Sequence, residues 1–391
     1  MNMPSTAKIH VLHLLPRLNQ DGTTHMVATL LKGLDRKNYR VTLCGLSPGN
    51  ADLAPLYDYA DEIVVLGMRH FFDFSALVPL YRLLKRLQVD IVHTHRIRPD
   101  ILGRIAGTLA QVPVNISTQH YVDEWSERGA FVYHIVRTLF RATMGFCQSV
   151  ACNSAAEQEV LLQKIGESYR SRCCVIHNGL DIDRFNRPSQ AGLAALREAL
   201  TLPPGSRVIT SVAFLTERKG HRYLLEAIAQ LLPAFPDIQL LLVGDGPEKA
   251  TLIGQTESLG IAHHTRFLGN RDDVPELLAL SELSVLPSLW EPFGLAALEA
   301  MAVETPVVVT DVGGLPEFVT HGKEGFLVPP ADARALAESI GRMLSDTAAT
   351  RSMGQAARTL VTQQFSARHV AQAYEQLYLH CLADSGQSTT L

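Results

Sequence analysis

Excess charge of one sign, long apolar runs and paired cysteines are all scarce in this 391-residue chain. With 35 Lys and Arg against 39 Asp and Glu, the net charge of -4 supplies no global attraction for nucleic acid, although a local basic patch stays open. No apolar run approaches the ~18–20 residues that a membrane-spanning helix needs. The apolar run at residues 9–15 is interrupted by His10 and His13, and no small-residue cleavage site follows it. The N-terminus therefore reads as a first strand and not as a secretion signal. The six cysteines, Cys44, Cys147, Cys152, Cys173, Cys174 and Cys381, form no CxxC pair and no metal-ligand spacing with His. They read as reduced, buried thiols, and the chain as cytoplasmic.

What is present is a soluble globular composition, 47% hydrophobic and 19% charged, in a chain too long for one core. Short β-branched runs at 8–15, 40–43, 62–66, 90–93, 114–117, 149–152 and 174–176 alternate with helical patterns at 24–34, 74–87, 98–110, 131–141 and 155–165. That alternation predicts a parallel sheet with helices on both faces. The pattern restarts with strands at 207–213, 238–243, 265–267, 283–286, 305–310 and 325–328. The break falls at 186–205, where Arg187-Pro188-Ser189 and Leu202-Pro203-Pro204-Gly205 interrupt order. The prediction is an α/β chain of two doubly wound domains, 1–185 and 186–365. A C-terminal segment, 366–391, carries a helix that packs back on the first domain and a frayed tail.

Open α/β sheets bind ligands beyond the carboxyl ends of their strands, so the loops there are where chemistry is expected. The most informative loop follows the strand at 283–286 and reads Trp290-Glu291-Pro292-Phe293-Gly294, entering an Ala- and Leu-rich helix. Free N–H groups at that helix start form an anion site, and Gly294 marks a sharp turn or close approach. Glu291 and Glu299 beside an anion site make sense if they bind hydroxyls, as a sugar on a diphosphate would offer. The plain alternative is a solvated Glu and a helical Glu in an ion pair.

The Glu-x7-Glu spacing within W-E-P-F-G-L-A-A-L-E-A-M-A resembles the signature of retaining glycosyltransferase family 4, the glycogen synthase-like group 1 transferases. The resemblance covers nearly the whole chain and is densest from Cys174 to Pro330. It implies the GT-B architecture, two facing Rossmann-like domains with an interdomain cleft, the first binding acceptor and the second nucleotide-sugar. The activity it implies is transfer of a sugar from a UDP- or GDP-sugar to an acceptor hydroxyl, in polysaccharide, lipopolysaccharide or glycolipid synthesis. By the same resemblance Glu291 contacts donor-sugar hydroxyls, Glu299 holds the ribose, and the amides of Phe293, Gly294 and Leu295 hold sugar and diphosphate. The glycine-rich loops Gly244-Asp245-Gly246 and Asp311-Val312-Gly313-Gly314 fit the family, and Gly246 is expected to approach the donor.

In Thr216-Glu217-Arg218-Lys219-Gly220, Lys219 matches the family lysine at the diphosphate, where a cation favours the transition state over the ground state. The family's arginine five residues earlier is Phe214 here, and Arg218 is the expected replacement, its fork suited to phosphate oxygens. His120, after the strand at 114–117, matches the family histidine near the donor's exocyclic carbon. Gly22 matches a glycine-rich loop that usually holds a pair. Glu304 stands where the family has Gly, and a left-handed turn there is expected to cost some stability.

His93-Thr94-His95 places two imidazoles on one side of a strand, but spacing shows no third ligand, and the family generally works without metal. No metal and no cofactor are assigned. The helix at 131–141 has one apolar face with Arg137 and Arg141 a turn apart. Core packing is its first reading, and peripheral contact with the inner face of the membrane its second, suited to a lipid-linked acceptor. Two other functions remain open: a nucleotide-sugar epimerase of the same architecture, and a catalytically weak sugar-nucleotide-binding subunit, which the Phe214 departure favours.

Overall fold

The computed structural model describes residues 8–19, 22–49, 54–69, 73–121 and 129–386. The chain divides into two compact units, Met1–Gly179 with Ala367–Leu391, and Leu180–Ser366. The divisions fall after residues 179 and 366, where the sequence pattern places them after 185 and 365.

The first unit holds β1 (Ile9–Arg17), α1 (Gly22–Gly33), β2 (Tyr39–Ser47), α2 (Ala54–Tyr57), β3 (Glu62–Val65), α3 (Leu77–Leu87), β4 (Ile91–His95), α4 (Ile97–Leu109), β5 (Val114–Gln119), α5 (Ala130–Thr143), β6 (Ser149–Cys152), α6 (Ala155–Ile165) and β7 (Cys173–Val175). Its seven strands lie in the order β3-β2-β1-β4-β5-β6-β7, all parallel. Strands covered on both faces read as unbroken apolar runs, and burial of the Val, Leu and Ile residues of β1, β2 and β4 supplies much of the core.

The second unit holds α7 (Gln190–Ala199), β8 (Arg207–Val212), α8 (His221–Leu231), β9 (Ile238–Val243), α9 (Lys249–Ser258), β10 (Thr265–Gly269), α10 (Val274–Leu280), β11 (Leu283–Leu286), α11 (Leu295–Ala302), β12 (Val307–Thr310), β13 (Gly325–Val328), α12 (Ala333–Ser345) and α13 (Thr347–Gln364). Its six-stranded sheet runs β10-β9-β8-β11-β12-β13, again parallel.

The last helix, α14 (Ala367–Asp384), returns to the first unit. There Tyr374 and Tyr378 enter the core, their hydroxyls 3.0 Å from Thr118 Oγ1 and 2.7 Å from His93 Nδ1.

The stretch 186–205 is not an irregular break, because it contains α7. Ser189 Oγ accepts from the Gly192 N–H at 3.2 Å, a capping bond that starts an Ala- and Leu-rich helix despite the flanking prolines. In each sheet the strand order reverses beside one pair, β1/β4 in the first unit and β8/β11 in the second. Loops leaving the carboxyl ends of such a pair diverge to opposite faces and leave a crevice between them.

Candidate active site

At the β8/β11 switch point the loop after β8 carries Arg218 and Lys219, and the loop after β11 carries Ser288 to Gly294. The structure brings Lys219 and Glu291 together: Nζ lies 2.5 Å from Oε2, with both side chains largely buried. Ser288 Oγ donates to the same Oε2 at 3.0 Å, and the Ser288 carbonyl accepts from Thr310 Oγ1 at 2.6 Å. One carboxylate oxygen thus receives an ammonium and a hydroxyl. The sequence shows both charged residues but not their pairing, and it shows nothing of Ser288.

The Glu291 backbone is fixed from the other side. Its carbonyl accepts from the Gly314 N–H at 3.0 Å, and a Cβ on Gly313 would lie 1.8 Å from that carbonyl oxygen. The Gly313-Gly314 pair therefore serves loop-to-loop approach.

Gly246 does the same at the end of β9. A Cβ there would meet the Leu215 carbonyl at 2.4 Å, so the loop that carries Phe214 packs directly against the Gly246 backbone. Arg218 is tied down as well: its Nη1 donates to the Trp290 carbonyl at 3.1 Å, and its own carbonyl accepts from the Leu289 N–H. The guanidinium braces the β11 loop, while Phe214 stands 61% exposed.

Gly294 caps α11 with φ 103° and ψ 51°, a left-handed conformation that turns the chain into the helix. The Phe293 side chain leaves the site and packs on Phe318 and Phe365, so only its backbone is available there; Leu295 begins the helix. One turn into α11, Glu299 is partly covered, and no hydrogen bond reaches its carboxylate among the described residues. Burial pushes its carboxyl up to about 7, with Arg184 pulling the other way. Trp290 Nε1 is buried with no partner among the described residues. A carboxylate and an indole N–H thus lack hydrogen-bond partners among the described residues beside a helix N-terminus.

In the first unit, His120 follows β5, with Nε2 3.2 Å from His95 Nδ1. His95 Nε2 is 3.0 Å from His13 Nδ1, and His13 pairs with His93 across β1 and β4. The third imidazole that spacing could not show is His13, some 80 residues upstream and brought alongside by strand register. The three rings offer nitrogens within 4.8 Å of one another. The His93 nitrogens both engage hydroxyls, of Tyr378 and Thr118, each at 2.7 Å. Arg96, beside this cluster, holds φ 73°, a strained conformation for a side chain of its kind. Gly22 opens α1 on the surface, where a Cβ would meet nothing within 4 Å, so no close approach requires glycine there.

Residues 20–184 match the family model described as Glycosyltransferase Family 4, and residues 194–360 the one described as Glycosyl transferases group 1. The chain is 31% identical over 308 residues to an Escherichia coli UDP-Gal:alpha-D-GlcNAc-diphosphoundecaprenol alpha-1,3-galactosyltransferase, covering 75% of this chain and 78% of that one. The chain belongs to glycosyltransferase family 4.

A second relative, the N-acetyl-alpha-D-glucosaminyl L-malate synthase of Bacillus anthracis, is 35% identical over 192 residues, 49% of this glycosyltransferase and about half (50%) of the relative's length. Among solved structures, the Anabaena protein HepE in complex with UDP superposes with a TM-score of 0.80 at 25% identity, covering 94% of this chain and 99% of that one. The fold is GT-B, and glycosyl transfer, not epimerisation, is what the relatives support.

Proposed function

We propose that this glycosyltransferase moves a hexose from a UDP-sugar to a hydroxyl of a saccharide or lipid-linked saccharide acceptor, with retention of anomeric configuration. The observation that carries the reading is the β8/β11 switch point. Lys219 and Glu291 pair there on the loops after β8 and β11, the latter loop enters the N-terminus of α11, and one turn on the Glu299 carboxylate receives no hydrogen bond among the described residues. The UDP base is supported by HepE, solved with UDP and with UDP-glucose, and by the UDP-Gal-dependent relative.

In this reading Glu299 accepts the ribose hydroxyls and the amides at 293–295 cradle the diphosphate. Lys219 meets the negative charge that grows on the departing phosphate, and no metal ion is used. Without donor, Lys219 neutralises Glu291. With donor bound, Glu291 turns its second oxygen to the sugar hydroxyls while Lys219 turns to phosphate. The bond from the anomeric carbon to the phosphate oxygen breaks and the bond to the acceptor oxygen forms on the same face. The acceptor's proton passes to the departing phosphate oxygen. His120 meets the donor sugar.

A lipid-linked acceptor suits α5, where Phe131 is 78% exposed. Arg137 of that helix, however, spends its Nε–H on the Lys164 carbonyl at 2.6 Å, which leaves the membrane reading to Phe131 and Arg141.

A second reading, a donor-binding subunit with weak transfer, is favoured by exposed Phe214 and by the attachment of Arg218 to Trp290. Turnover of UDP-glucose and UDP-galactose with glycosyl-diphosphoprenol and oligosaccharide acceptors separates the two, and the anomeric coupling of the product reports stereochemistry. Lys219→Ala is expected to lower transfer by about 10²–10³-fold with the circular dichroism unchanged. Undiminished turnover in Lys219→Ala and Glu291→Ala would contradict the proposal. UDP binding with no transfer to any acceptor selects the second reading.

A further inference from the structure

Three buried histidines of the first unit lie behind His120, and the mechanism above uses none of them. The ring nitrogens form a chain: His120 Nε2 to His95 Nδ1 at 3.2 Å, then His95 Nε2 to His13 Nδ1 at 3.0 Å. The chain ends at His13 Nε2, which is fully buried and has no partner among the described residues. The His13 and His95 rings stack, centroids 5.3 Å apart and planes 12° apart. His93 packs against both and is itself pinned by Tyr378 and Thr118. None of these rings has freedom to reorient.

The rings are neutral, because burial opposes protonation of each. The charged group that acts on His120, Arg96, opposes it further. A neutral imidazole has one N–H and one bare nitrogen, so each link carries one proton and the chain has one of two polarities. In the inward polarity His13 would carry its proton on Nε2, a buried N–H with no acceptor. In the outward polarity His13 Nε2 is a bare lone pair, the milder and commoner defect in protein interiors. The outward polarity runs from His13 Nδ1–H to His95 Nε2, and from His95 Nδ1–H to His120 Nε2. The remaining proton then sits on His120 Nδ1, which has no hydrogen-bond partner among the described residues.

We propose that His13 and His95 are positioning residues that hold His120 in its Nδ1–H tautomer, so that His120 presents a hydrogen-bond donor, never an acceptor, to the sugar. The recognised group is then an oxygen lone pair, of a hydroxyl or a carboxylate. The consequence for substrate rests on His120 meeting the donor, whereas the tautomer itself does not.

Long-range 1H–15N spectra of the full chain labelled at histidine nitrogens, at pH 7, read the tautomer directly, with His120→Asn and His95→Phe giving the assignments. Free neutral imidazole side chains favour Nε2–H, so the proposal predicts an inversion: a protonated Nδ1 and a bare Nε2 at His120. In His95→Phe the His120 signals should return to the Nε2–H pattern. An Nε2–H tautomer at His120 in the wild-type protein overturns the proposal, and so does an unchanged pattern in His95→Phe. If His95→Phe does not fold, the wild-type spectrum alone decides. One equivalent of zinc retained after dialysis and released by acid would also overturn it, since it would make His13, His93 and His95 metal ligands. Because no donor is added, the result stands apart from any failure of the UDP-sugar reading.

Discussion

Glu299 has a conflict built into it. It is the residue proposed to hold the ribose hydroxyls, yet burial raises its carboxyl from the usual range to about 7. Such a raised value means stability that is fully present below the unfolded-state value near 4.5 and is lost as pH rises through about 7. Glu299→Gln removes the charge and keeps the shape. The variant should be more stable than wild type at pH 8 by about 1–3 kcal/mol, discounted for partial exposure, and no more stable at pH 5. Urea titrations at the two pH values check this. Lys219 and Glu291 show a different economy. Each was legible as a candidate from residue type and family spacing, but their direct pairing and the support from Ser288 depend on two loops meeting across the sheet, which no local pattern records.

At the scale of elements, most strands were legible because a parallel sheet covered on both faces demands β-branched apolar runs. β12 begins at Val307 and not at residue 305, since Pro306 has no N–H to give the ladder. α7 is masked in the sequence by the prolines on either side, although Ser189 caps it. At Gly246 and Gly313 loop backbones touch one another, an approach that only the folded chain reveals. Glu304, between α11 and β12, does take the left-handed conformation expected of a residue standing in for Gly, at φ 64°. Its carboxylate reaches Arg187 at 3.2 Å in an exposed pair of small worth. Glu304→Gly should therefore raise stability by about 0.5–1 kcal/mol without changing transfer. Denaturant midpoints beside turnover test it, and a loss of stability would show that the ion pair outweighs the strain.

At the scale of the whole molecule, the two units answer acid differently. In the first, burial lowers His10, His13, His93, His95 and His120, and raises the Asp100 carboxyl against them. A lowered histidine gives stability that is present above about 6.5 and is lost as pH falls below it, on the order of 1 kcal/mol per pH unit for each group. In the second, His221, lowered to about 4, is opposed by Glu299 and Glu282, both raised by burial. Between pH 7.5 and pH 5.5 the first unit should lose stability and the second change little. Hydrogen exchange followed by mass spectrometry resolves the two, and parallel loss in both would contradict the assignment. The two-unit α/β plan and the family were readable from alternation and one signature segment. The histidine cluster was not, because its members come from β1, β4 and the end of β5 and meet only through register.

The proposed transfer requires the second unit to hold a nucleoside diphosphate, with Glu299 on the ribose. Calorimetric titration of UDP into the wild-type protein and into Glu299→Ala tests this most directly. Saturable one-to-one binding by the wild type is predicted, weakened about tenfold or more by loss of hydrogen bonds to a charged group. Binding of equal strength in both proteins, or none in the wild type, would contradict it.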